Sequence, residues 1–136
     1  AGIPTGVMAA PMIPALNDAE LESILEEAAK AGAKTAGYIL VRLPLEIKDL
    51  FGEWLEGHYP ERAKHVFNLI RETRGGALYD PRFGQRMRGK GPYATLLKSR
   101  FEIAVKRLGL NQRERESLDT SQFKPPPKAG DQLTLL

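Results

Sequence analysis

The chain has 136 residues, 27% of them charged, with no cysteine, two histidines and a formal net charge of +3. That length suits one domain with one modest core, and no stretch approaches the ~18–20 unbroken apolar residues of a membrane span. Without cysteine, disulfides and thiolate-held zinc or iron–sulfur clusters are excluded within these residues, and His58 and His65 alone fall short of the roughly three or four ligands a metal site needs.

No basic segment precedes an apolar run at the N-terminus, so a cytoplasmic protein with no membrane partner is expected. The net charge hides an asymmetry. Residues 17–61 hold 4 Lys/Arg and 10 Asp/Glu, whereas residues 71–113 hold 11 and 3. The first stretch reads as a solvated surface and the second as a candidate for contact with a polyanion.

The first element is an apolar, uncharged run over residues 6–13, which suits a strand buried on both faces of a parallel sheet. Pro11 lies near its end, where a missing N–H costs little. Asn17 and Glu20 have the spacing of a capping box, and Leu21, Ile24, Leu25, Ala28 and Ala29 make one apolar helical stripe that Gly32 terminates. Residues 35–43 read as a second strand ended by Pro44. Residues 6–43 therefore form a strand–helix–strand unit of the length a right-handed parallel crossover takes.

Residues 45–56 predict a helix with Ile47, Leu50, Phe51, Trp54 and Leu55 inward. Pro60 restarts a helix that runs to about Arg74 and buries Ala63, Val66, Phe67 and Ile70. Residues 77–91 lack a period and read as a basic loop. Residues 92–108 give a last helix with Leu97, Phe101, Ala104, Val105 and Leu108 inward, capped by Gly109. Residues 111–130 are polar and proline-rich, as in an extended tail. The expected organisation is a sheet segment over 1–57, a helical basic extension over 58–110 and a tail over 111–136.

Two strands buried on both faces make no stable sheet alone, and a full barrel of eight strand–helix units takes about 200–250 residues. Together with a chain that begins at Ala1 without Met, this predicts a piece of a larger domain, with self-association as the alternative for its exposed sheet edges.

Four segments carry a family likeness: Ala10-Pro-Met-Ile-Pro-Ala-Leu-Asn-Asp, Gly37-Tyr-Ile-Leu-Val-Arg-Leu-Pro, Leu50-Phe-Gly-Glu-Trp-Leu, and Arg74-Gly-Gly with Arg82-Phe-Gly-Gln-Arg-Met-Arg-Gly-Lys-Gly. In that order the chain resembles the C-terminal part of radical S-adenosylmethionine (radical SAM) proteins related to spore photoproduct lyase, often labelled DNA repair photolyases. Ala15 stands where that family often has Gly. The resemblance implies an α/β fold: a partial radical SAM (βα) barrel with two parallel strands, four to five helices and a helix-rich C-terminal extension. It also implies a parent lyase that uses a 4Fe–4S cluster and S-adenosylmethionine, both bound through an N-terminal half of the barrel. The cluster cysteines are absent from this chain, so it is expected to be inactive alone and to carry no catalytic residue.

In a barrel the functional groups sit at the C-terminal ends of the strands. On the resemblance, Pro11, Asn17 and Arg42 occupy cofactor-side positions, and Arg42 suits a carboxylate or phosphate. The alternative is that Pro11 shapes a turn, Asn17 caps a helix and Arg42 pairs with a glutamate. Arg82, Arg86, Arg88, Lys90, Lys98 and Arg100 alternate with Tyr79, Phe83 and Tyr93, a composition that can wrap phosphates and stack bases. The same cations can instead bind acidic surface, such as the helix after Asn17. Gln132, Leu133, Leu135 and Leu136 resemble a short peptide by which bacterial polymerases and repair factors bind the sliding clamp. Nucleic acid and that clamp are thus the partners of a second reading, a binding module.

Overall fold

The computed structural model describes residues 3–112, 120–121 and 123–126. The fold is mixed α/β. Strand β1 (Gly6–Met12) leads through a short 3-10 turn (Asp18–Glu20) into α1 (Leu21–Lys30), then β2 (Thr35–Leu40), α2 (Ile47–His58), α3 (Pro60–Thr73) and α4 (Gly91–Arg107). β1 and β2 pair in parallel from Gly6 opposite Thr35 to Ala9 opposite Tyr38, then slip, so that Met12 faces Leu40. The slip coincides with Pro11, whose ring nitrogen has no hydrogen to give the ladder, behind a cis Ala10–Pro11 bond.

The helices begin and end where local chemistry dictates. Gly32, at φ 95°, closes α1 by letting the Ala33 amide donate to the Ala28 carbonyl at 2.9 Å. Pro60 opens α3 at a position that needs no amide donor. The expected capping box does not form: Asn17 and Glu20 make no side-chain cap bond. An intervening 3-10 turn places Asn17 one turn too early to reach the α1 amides.

Two apolar cores result. In the first, Ala9, Met12, Tyr38 and Leu40 of the sheet meet Leu21 and Leu25 of α1 and Leu97, Phe101 and Ala104 of α4. The Tyr38 and Phe101 rings sit 4.9 Å apart. In the second, Val41 and Leu43 pack with Leu55 of α2 and with Ala63, Val66 and Ile70 of α3.

Two expectations of burial are corrected. β1 is covered on one face only, with Met8 59% exposed, because α1 and α4 both lie on the other side. On α2 only Leu55 is buried, while Ile47, Leu50 and Trp54 remain exposed, because α3 covers a narrow stripe. No helix among the described residues is long and apolar enough to cross a membrane.

The edges of the sheet differ. β2 is finished on its outer side by groups that are not strands. The Asn111 side chain accepts from the Ala36 amide at 2.8 Å and donates to the Ala36 carbonyl at 3.0 Å. Further along, the Leu40 amide donates to the Met87 carbonyl at 2.9 Å; past the end of the strand, the Val41 amide turns to the Met12 carbonyl of β1 at 2.9 Å while Arg74 donates to the Val41 carbonyl at 3.0 Å. The outer edge of β1 pairs with no strand among the described residues.

Candidate functional site

Both strands point their C-terminal ends the same way, and two clusters stand there. After β1, the amide of Asn17 ties off the turn. Its Oδ1 accepts from the Ile13 amide at 2.7 Å, and its Nδ2 donates to the Pro11 carbonyl at 2.9 Å. Pro11 and Asn17 are therefore brought together, and the Asn17 amide is occupied by backbone.

After β2, Arg42 donates to the Tyr79 hydroxyl at 3.2 Å and lies 5.8 Å from the Tyr79 ring centre. It pairs with no glutamate among the described residues. Its buried Nε–H has no partner among them either. Beside it is a residue that the sequence reading passed over. Arg74 is 3% exposed and donates to the carbonyls of Gln85 (2.8 Å) and Val41 (3.0 Å), stapling the end of α3 to the end of β2 and to the basic loop. Burial weakens its basicity, and nearby Asp80 opposes that effect, but a guanidinium stays charged. The only sequence signal was an arginine ahead of Gly75-Gly76, which helical periodicity cannot mark as buried.

The six basic candidates separate by contact. Arg82 grips the Asp80 carboxylate through Nε (2.9 Å) and Nη2 (2.6 Å), which holds Asp80 down at about 2. Arg100 grips Glu22 through Nε (2.8 Å) and Nη2 (2.6 Å), also reaches the Asp18 carbonyl, and lowers the Glu22 carboxyl. Tyr93 donates to Asp18 next to it; burial first, and then this hydrogen bond, keep its phenol protonated well above the ordinary range. Arg107 pairs with Glu26. The acidic helix α1 is thus the partner of part of the basic segment.

Arg86 lies 5.5 Å from the Phe83 ring centre. The remaining three, Arg88, Lys90 and Lys98, line one shallow cavity of about 90 Å³ together with Tyr38, Ala94 and Thr95.

The loop that carries this set is ordered. The Arg86 amide bonds the Arg82 carbonyl at 3.0 Å, the Gly89 amide bonds that of Gln85 at 2.8 Å, and the Lys90 amide bonds that of Thr73 at 3.0 Å. No group of three or more metal-ligating side chains converges among the described residues. Gln132, Leu133, Leu135 and Leu136 lie outside the described residues.

No protein-family model, no curated protein and no solved structure matches this chain.

Proposed function

We propose that this chain is the C-terminal portion of a radical SAM enzyme, supplying the last two strand–helix units of a partial (βα) barrel and a basic, substrate-side extension. The observation that carries the reading is the one-sided finish of the sheet. Asn111 and Met87 close the outer edge of β2, while β1 keeps an edge that no strand among the described residues covers, and an apolar outer face. A sheet built this way grows only past β1, toward residues that would precede it. A free parallel edge with an uncovered face is the surface on which further strand–helix units dock. The N-terminal half of the barrel is accordingly the partner proposed for that edge.

The chain has no thiolate for a 4Fe–4S cluster, so the cluster does not fit these residues and no step is assigned to it. Of the three residues on the cofactor side, Asn17 is spent on its turn and Pro11 offers only a carbonyl that Asn17 already occupies. Arg42, a half-buried guanidinium at the end of β2 held by the Tyr79 hydroxyl, is the one of the three with a charge suited to a carboxylate.

The test is the intact mass and iron content of the native protein, purified anaerobically. A longer polypeptide carrying about four irons is expected, as one cubane cluster requires. A native chain of this length without iron overturns the reading.

A further inference from the structure

We propose that the cavity between the basic loop and α4 binds a phosphoryl group, held by Arg88 and Lys98, with Lys90 adding charge at its rim. Arg88 is fixed in direction but not spent. Its guanidinium rests 4.1 Å over the Tyr38 ring, and Tyr38 is itself backed by Phe101. That stacking uses the face of the cation and leaves its N–H edge for an acceptor. Neither Arg88 nor Lys90 has a carboxylate in ion-pair reach among the described residues, unlike Arg82 and Arg100 on the same segment.

Lys98 stands about two turns into α4 on the same cavity. Its partner there, Glu102 at 3.6 Å, is as exposed as the lysine itself, and such a pair is worth little and yields to a better anion. The Lys90 ammonium lies against Gly75 at the end of α3, so it contributes field more than contact.

Size and polarity narrow the ligand. A space of about 90 Å³ is well below the ~300–1,000 Å³ of a pocket that encloses a whole small molecule. It suits one small anionic group whose remainder stays outside. Several clustered cations favour a phosphoryl group, with several acceptor oxygens, over a lone carboxylate. Two donors at the start of α4 are already used: the Tyr93 amide is taken by Glu72 at 3.1 Å, and the Thr95 hydroxyl by the Gly91 carbonyl at 3.0 Å. The cations carry the site.

The phosphoryl group has two possible sources, a nucleic-acid backbone and a small phosphorylated compound. The intact native polypeptide is titrated against a fluorescent single-stranded oligothymidylate across a salt series, and separately against inorganic phosphate by amide chemical shifts around Thr95 and Lys98. One phosphate seated in the cavity contributes about −0.7 to the slope of log K on log salt on a single strand.

Lys98→Gln, which leaves that phosphate to Arg88, is expected to weaken binding and flatten the slope by up to ~0.7, whereas Lys106→Gln, on the same helix outside the cavity, leaves both unchanged. Oligonucleotide binding with that pattern assigns the backbone source. Phosphate-induced shifts that Lys98→Gln abolishes, without oligonucleotide binding, assign a small phosphorylated compound. Binding of neither probe, or equal losses in both variants, overturns the proposal. The assignment does not rest on the barrel reading, since an iron-free protein that passes this test still upholds it.

Discussion

Arg100 and Arg82 make nearly the same bidentate grip on a carboxylate, yet their surroundings set different consequences. Arg100 joins α4 to the start of α1 and is about two-thirds buried. Arg100→Lys keeps the charge but loses the fork, and we expect a loss of about 1–2 kcal/mol in urea unfolding. Arg82 is mostly exposed and grips a residue two positions away, so Arg82→Gln mainly releases Asp80, whose carboxyl then titrates nearer 3.8 than the present value of about 2 in an NMR titration.

Asp80 and Glu22 both have folded values below their unfolded ones. Their contribution is complete above the ordinary values of 3.8 and 4.5 and is lost as pH falls through the folded values. The urea midpoint should therefore drop on acidification from 4.5 toward 2, and an unchanged midpoint there would contradict the assignment. The six basic positions were legible in the sequence as a cluster. Their division was not, because whether a cation is neutralised depends on residues such as Glu22, 78 positions away from Arg100.

At the scale of elements, periodicity located every strand and helix to within a few residues, because each apolar stripe is local. It carried β2 too far, to Leu43. Val41 and Leu43 are apolar because they enter the second core, beyond the end of the strand at Leu40. It also turned the α2 stripe wholly inward, although a stripe says only that a face is apolar and not how much of it is covered.

The loop over 77–91 gave no period, and its order comes from tertiary bonds to Thr73 and Leu40. Gly89 is its tightest point. Its φ is 71°, and a Cβ would lie 3.0 Å from Leu40, from Thr73 Cβ and from the Thr73 carbonyl. Gly89→Ala should cost about 1–3 kcal/mol in thermal or urea unfolding and weaken phosphoryl binding with it. Asn111, at φ 58°, combines a left-handed backbone with the edge clamp on Ala36. Asn111→Gly keeps the backbone and isolates the clamp at about 1 kcal/mol; Asn111→Ala should cost more.

For the molecule as a whole, apolar surface remains on several fronts, among them Ile3 and Met8 beside β1, Ile47, Leu50 and Trp54 along α2, and Leu96 and Ile103 on α4. Without other strands against β1, this chain should self-associate as concentration rises in sedimentation velocity. Met8→Lys, which puts charge on the open face, should shift it toward monomer. A strict monomer at every concentration, with a cooperative melt, would count against the open-sheet reading.

The clamp on β2 also imposes an order of events during synthesis. Ala36 and Asn111 are 75 positions apart. On a ribosome adding ~5–20 residues per second, β2 emerges several seconds before the side chain that seals it, and through that interval its outer edge can recruit a passing strand. A nascent chain stalled ahead of Asn111 is therefore the form most exposed to mispairing.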